Sequence, residues 1–556
     1  MPVIKNLRTI PPALRFLPLL VLMGYGLWRS VSAPPSDFAG YYYGGRALLH
    51  GQVLGAYDMT TLNDRIAADG FSGVLVSYAP FPPFTSLVFA PFLVFPMAVA
   101  KIAFNILSIA LFLFSLDRLA RRCSTPPYLI LLLPVIFLIP LVNNLAFGQA
   151  YLLLFALLAE GWLAYRKDRR TLAAALWAAA ILFKLFPAFL FVFLLLRKKY
   201  RQFARLAIAC TLLLIVSLCV NGIDAWKYYI SVIMPRMGHG ELNDSFTYIF
   251  QSAFMLLKRA FRYDTLLNPH PFVDNAWLFT VSMSLFKAAV LSAAVRLTLR
   301  GKDEFFPFTV WIAASMLVSP NGSSYSLILL LFPLLGLARR ISPEGPPNRA
   351  VNGTLAAGII LLAVACAVPV ARFGRLPLLL QFPRLYVVLL FYGLLALRLR
   401  PAAGPALLFA LTAMFLCLDI RGNLRRKEPG GYVLSAESHL FICHYGARDH
   451  RLVYTWRDDR GIHDQPTGIL VSSMTAEGLT LRDNQIRFHD RQVTFSSDRK
   501  AQPMLVNGGE IWYLSDLNRG FGFYTLRKIT PAAVSRVGAP PAAAPPDVAT
   551  ICQAFQ

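Results

Sequence analysis

A single acid stands among aromatics in the first long polar stretch of this chain, Pro35-Ser36-Asp37-Phe38-Ala39-Gly40-Tyr41-Tyr42. An aspartate at the mouth of a bundle of apolar helices is costly to desolvate and adds little to packing. It is suited to taking a proton from a sugar or lipid hydroxyl at a bilayer surface. A plainer role is open to the same residue. Ser36 and Asp37 are both good N-caps, and Phe38–His50 has amphipathic helical character before Gly51. Asp37 therefore also reads as the cap of a surface helix whose tyrosines, Tyr41 among them, lie at headgroup depth.

Other polar groups gather at the ends of apolar runs. Tyr78-Ala79-Pro80-Phe81-Pro82-Pro83 leads into one such run, its prolines setting an extended approach and a helix start, with Tyr78 able to line a site. Asn143-Asn144 and Gly148-Gln149 flank a short turn, Asn243-Asp244-Ser245 lies in a long loop, and Ser319-Pro320-Asn321 leads to Tyr325. Amides and hydroxyls at such depth either line a cavity or satisfy a turn of their own. Cations on the same face (Arg46, Lys184, Arg236, His239, Arg372, Arg375, Arg384) suit phosphate oxygens, and anionic headgroups would explain most of them as well.

The elements that must position these groups are apolar. Of 556 residues 56% are hydrophobic and only 15% charged, with a mean hydropathy of +0.54, so most of the chain belongs in lipid. The net charge of +25 then reflects cytoplasmic loops and anionic lipid, without nucleic acid. Seven cysteines are scattered, with no CxxC pair and no metal-ligand spacing, and nothing requires a divalent ion or another cofactor. Leu14–Trp28 reads as a signal anchor. About a dozen apolar runs follow the length rule for spans. The clusters at 117–122, 166–170, 197–201, 339–340 and 398–400 should face the cytoplasm, with Glu160 paired to one of their cations.

Leu172–Leu196 has basic clusters at both ends, which a single crossing cannot satisfy. Its middle reads Phe183-Lys184-Leu185-Phe186-Pro187, a cation beside a helix breaker. Two short helices that go in and come back would put Lys184 at the outer tip. Counting both gives about 13 passes, an inside N-terminus and an outside C-terminus. The expected fold is mainly α, a polytopic membrane bundle over 1–418. Residues 419–538 form a small β-rich extracytoplasmic domain with turn signals at Asp483-Asn484 and Asn507-Gly508-Gly509, and 539–556 an Ala/Pro-rich tail. Cys443 and Cys552 could bridge in an oxidising compartment or stay as thiols. Trp456, Trp512 and Tyr513 are either exposed faces that guide a glycan or the domain's own core.

The order of these pieces resembles glycosyltransferase family 87, within the GT-C superfamily. An Asp in the first outer loop precedes Tyr-x-Pro-x-Pro-Pro, Gly-Gln after an Asn-rich turn, Lys-Leu-Phe-Pro and a later Ser-Pro, over roughly Leu14 to Leu337. The resemblance implies an inverting transferase of the inner (plasma) membrane. It would move a sugar, mannose or a related hexose or pentose, from a polyprenyl-phosphate donor to an envelope glycolipid or glycan. It implies Asp37 as general base and Lys184 near the donor phosphate, with Asn144, Gln149 and the Ser319–Tyr325 turn lining the sugar cavity. A lipid or polysaccharide transporter should show paired broken helices, and only Pro187 marks one. A surface-polysaccharide polymerase or ligase stays closer in chemistry.

Overall fold

The structure is a computed structural model. It describes residues 12–33, 36–71, 75–300, 303–339, 349–396, 405–423, 430–434, 441–458, 461–496 and 498–530. The Ala/Pro-rich tail and Cys552 lie outside the described residues, so the Cys443–Cys552 pairing does too.

Helices dominate up to Asn423 and strands follow from Gly430, as the composition change near Asp419 implies. Fewer helices are long enough to span than the expected 13 passes. Among the described residues, Met97–Arg122, Tyr200–Asn221 and Ala276–Arg300 qualify, and the number reaches five if each of two bent pairs is one span. Proline is one reason. Pro140 has no N–H for the Ile136 carbonyl, and the run there divides into Pro127–Ile136 and Leu138–Phe147, which meet at 61°. The remaining apolar helices are 10–17 residues long, short of the roughly 20 that a bilayer core demands.

The hairpin expected around Pro187 is present. Arg170–Phe183 runs one way and Phe189–Leu196 returns. The two basic ends meet, because Gln202 Nε2 donates to Arg170 O (3.1 Å) while Arg166, Arg197 and Lys199 all approach Glu304. Pro187 cannot donate to the Phe183 carbonyl, and Thr85 Oγ1 does so instead (3.3 Å). Lys184 sits at the tip in extended conformation (φ −147°, ψ 117°). Glu160 finds its expected cation in Arg118 (2.9 Å).

The C-terminal region holds a five-stranded sheet, in order Gly430–Tyr432, Thr525–Ile529, Glu510–Ser515, Lys500–Val506, Met474–Thr475, and two three-stranded sheets. Asp483 and Asn484 both take positive φ in a two-residue hairpin with Arg482 opposite Gln485. Asn507 (φ 52°) and Gly508 (φ 66°) turn the chain between Val506 and Glu510. Trp512 and Tyr513 are buried on opposite faces of their strand, one in each of two small cores, and are not exposed sugar platforms. Trp456 is half-buried against His463 (4.6 Å between rings).

This region docks on both long loops of the helical part. Asp516 accepts from Arg236 Nη1 (3.0 Å) and Nη2 (2.8 Å), Arg499 pairs with Asp58 (3.1 Å), and Arg457 pairs with Asp64. Phe521 enters the aromatic core formed by Tyr57, Tyr78 and Tyr229.

Candidate active site

The site begins with a glycine. Helix Leu138–Phe147 ends at Gly148, whose φ of +68° is the left-handed cap that a side chain disfavours. A Cβ there would also lie 2.6 Å from Phe38 Cβ. This close approach seats Gln149 against the helix Ser36–Leu49. Asp37 and Tyr41 lie one turn apart on that helix, so they share a face. Tyr41 Oη donates to Gln149 Oε1 (3.0 Å), and the Gln149 side chain also hydrogen-bonds the Asp37 carboxylate. Asp37 stands in the first turn of its helix, where the helix dipole favours a carboxylate.

Two cations balance that acid from different directions. Burial opposes the Asp37 charge; the hydrogen bond from Gln149 and then the Lys184 and Lys101 ammoniums favour it. Lys184 Nζ lies 4.3 Å from the Tyr151 ring centroid and 5.6 Å from that of Phe81. Phe81 packs on Tyr41 (4.4 Å), which stacks on Phe89 (4.4 Å, 7°). Ring faces hold the cation by their quadrupoles while leaving its N–H groups for another acceptor.

Lys101 was not foreseen. It is buried on Met97–Arg122, and its Nζ donates to Ser30 O (3.0 Å) and Ala33 O (3.1 Å) at the end of the first helix. One turn on, Asn105 Nδ2 donates to Ser30 Oγ (2.8 Å) and Leu145 O (2.9 Å). Lys101 and Asn105 thus tie together the segments that carry Asp37 and Gln149. A Lys with an Asn four residues on, inside an apolar helix, was the available signal.

Polar groups of the other motifs close the site. Asn144 is fully buried, and neither of its side-chain amide atoms has a hydrogen-bond partner. Asn143 Nδ2 donates to Ser324 Oγ (2.9 Å), which brings the Asn turn to the Ser-Pro turn. Tyr325 faces Tyr151 (5.5 Å) and Phe147 (6.4 Å). Ser319 and Asn321 line an adjoining cavity of about 80 Å³ with Tyr151 and Arg384, and Asn321 Oδ1 is buried without a partner.

Not every candidate converges here. Tyr78 is buried behind Phe81 (5.7 Å), against Tyr57 (5.1 Å), so it supports the wall from outside. Arg46 lies five residues beyond Tyr41, paired with Asp69 at a separate cavity of about 260 Å³. Ser245 N donates to Asn518 O (3.2 Å), and Asn243 packs under Gly520, so both face the β-rich region.

Residues 79–320 match the family model described as glycosyltransferase family 87. The matched stretch is narrower than the resemblance suggested. It holds Asn144, Gln149, Lys184 and Ser319 and begins after Asp37. No curated protein and no solved structure matches the chain. With apolar helices of spanning length and part of the site inside the matched stretch, this membrane protein is similar over residues 79–320 to glycosyltransferase family 87, which supports a glycosyltransferase.

Proposed function

We propose that the protein moves a sugar, mannose or a related hexose or pentose, from a polyprenyl-phosphate donor to a hydroxyl of an envelope glycolipid or glycan. The reaction takes place on the extracytoplasmic face of the inner (plasma) membrane, which the β-rich domain shares. The observation that carries this reading is a half-buried carboxylate, Asp37, electrostatically coupled to Lys184 within one aromatic-walled site beside the unpartnered amide of Asn144. An acid to take a proton, a cation to receive an anionic leaving group and an amide free to bind hydroxyls are the three parts that transfer from a sugar phosphate needs.

Asp37 accepts the acceptor hydroxyl's proton as its oxygen attacks the anomeric carbon. The bond from that carbon to the phosphate oxygen breaks from the opposite face, its electron pair leaving with the phosphate, and configuration inverts. Lys184 meets the charge that builds on the departing phosphate. Gln149 holds the carboxylate through one end of its amide and Tyr41 through the other, fixing the rotamer of the base.

The test uses right-side-out and inverted vesicles that carry polyprenyl-phosphate mannose in the membrane, with a membrane-impermeant acceptor glycan added outside. Wild-type protein should form product of inverted anomeric configuration in right-side-out vesicles alone. Asp37→Asn should bind donor normally and lose transfer by about 10²–10⁴-fold, the usual contribution of a general base. Transfer unchanged by Asp37→Asn would reject the assigned base, and product in inverted vesicles alone would reject the assigned face.

A further inference from the structure

The helical part has a second charged centre, remote from Asp37. The hairpin helix Arg170–Phe183 has Lys184 at one end and a basin at the other, about 20 Å away at 1.5 Å per residue. This basin has a volume of about 750 Å³. Five cations, Arg166, Arg170, Arg197, Lys199 and Arg339, share its wall with three carboxylates, a net charge of +2 on the described lining.

The carboxylates hold the cations in place and are themselves occupied. Glu304 is mostly buried and takes Lys199 (3.2 Å), Arg166 (3.5 Å) and Arg197 (3.7 Å). Asp303 lies 3.9 Å from Arg339 and accepts from the N–H groups of Phe305 and Phe306 (both 3.2 Å), capping their helix. Arg170 pairs with Asp168 (2.6 Å) and stacks over Tyr165 (4.3 Å). Arg197 Nη1 also donates to Thr298 O (3.0 Å). Side chains drawn from six helix ends are thus fixed around one open space. The positive charge that remains beyond the three carboxylates favours a further anion, and fixed guanidinium groups match phosphate oxygens.

We propose that this basin is a phosphate-binding site, separate from the sugar-transfer site, that takes the phosphate of an anionic lipid headgroup or a free phosphate. Glu304 acts as the internal counter-anion that orients the cations and limits the affinity.

The experiment uses the full-length protein in two arms. In the first, native mass spectrometry follows retention of phosphatidylglycerol over phosphatidylcholine from mixed nanodiscs. In the second, thermal unfolding in detergent is followed with added inorganic phosphate or pyrophosphate. Preferential retention of phosphatidylglycerol assigns a headgroup, and an upward shift in Tm with the inorganic ions assigns free phosphate. In whichever arm responds, Arg197→Gln with Lys199→Gln should weaken binding about tenfold or more. Glu304→Gln should strengthen it, an opposite change that a misfolded protein would not give. No response in either arm, or binding that survives the double substitution and ignores Glu304→Gln, overturns the proposal.

Discussion

Two charge clusters in this molecule are built on opposite plans. In the β-rich region the carboxylates Asp498 and Asp516 are each matched by several donors. Asp498 accepts from Ser496 Oγ, Ser515 Oγ (2.6 Å) and Lys500 Nζ (3.1 Å), and Lys500 also donates to Ser496 O (2.9 Å). Burial pushes the Asp498 carboxyl up, but the Lys500 ammonium and the hydroxyl donors more than reverse this and hold it below the usual carboxylate range. Asp516 is matched by Arg236, Arg499 N (2.8 Å) and Gly522 N (2.8 Å). Around Asp37 the polar groups are left partly open. Lys184 is held by ring faces, and Asn144 and Asn321 keep bare amide atoms. A satisfied network fixes a structure; an unsatisfied one costs stability and persists where something else must bind.

Breaking the closed cluster should hurt folding most. Arg236→Ala leaves Asp516 buried without its counter-ion, a loss of about 3–5 kcal/mol seen as a lower Tm. Arg236→Ala with Asp516→Ala should recover part of this. A single variant with wild-type Tm would end the view that this pair locks the β-rich region to the loop. The open cluster should respond in turnover. Lys184→Ala should keep its Tm and lose about 10–100-fold in kcat/KM for a polyprenyl-phosphate sugar, the worth of one charge-assisted contact. Wild-type kinetics would leave Lys184 with a topological role alone.

Asn144→Leu sharpens the contrast further. It removes an amide whose burial costs about 1–3 kcal/mol, so Tm should rise or hold while transfer falls. A drop in both would mean that Asn144 is bound within the protein after all. The smallest effect concerns Lys258, whose Nζ donates to Asn518 Oδ1 (3.1 Å) across the domain contact. Burial pushes this ammonium down to about 8. An unfolded lysine titrates near 10.4, so between those values the unfolded chain binds more protons and stability should rise with pH. Lys258→Met should flatten that slope in urea titrations from pH 7.5 to 10.5. An unchanged slope would show that other groups set it.

Much of the open cluster could be read from the chain, because its members sit where polar residues interrupt apolar runs. Lys184 before Pro187 and Gln149 after Gly148 announce themselves by breaking a pattern. Lys101 interrupts an apolar run too, but a lysine near a helix start looks like a snorkelling side chain until its carbonyl acceptors are known. Lys500–Val506 escaped for another reason. Pro503 argues against an inner strand, yet the register slips between Trp512 and Leu514, and Gln502 (φ 47°) and Pro503 occupy that bulge. Trp512 and Tyr513 were ambiguous because alternation shows only that two faces differ. Here both faces are covered.

The contact beneath Gly520 and Gly522 bears on how such a protein can be recombined. Both glycines have positive φ (99° and 81°), and a Cβ would meet Asn243 Cα at 3.2 Å in the first case and Met59 Cβ at 2.7 Å in the second. The loops that receive them come from distant parts of the helical chain. A C-terminal region grafted from another enzyme would need to match two backbone contours at once, with only glycine able to fit each. The catalytic body and its appended sheet therefore form one heritable unit, and a chimera joined near residue 424 should assemble only when the segments around Met59 and Asn243 travel with the graft.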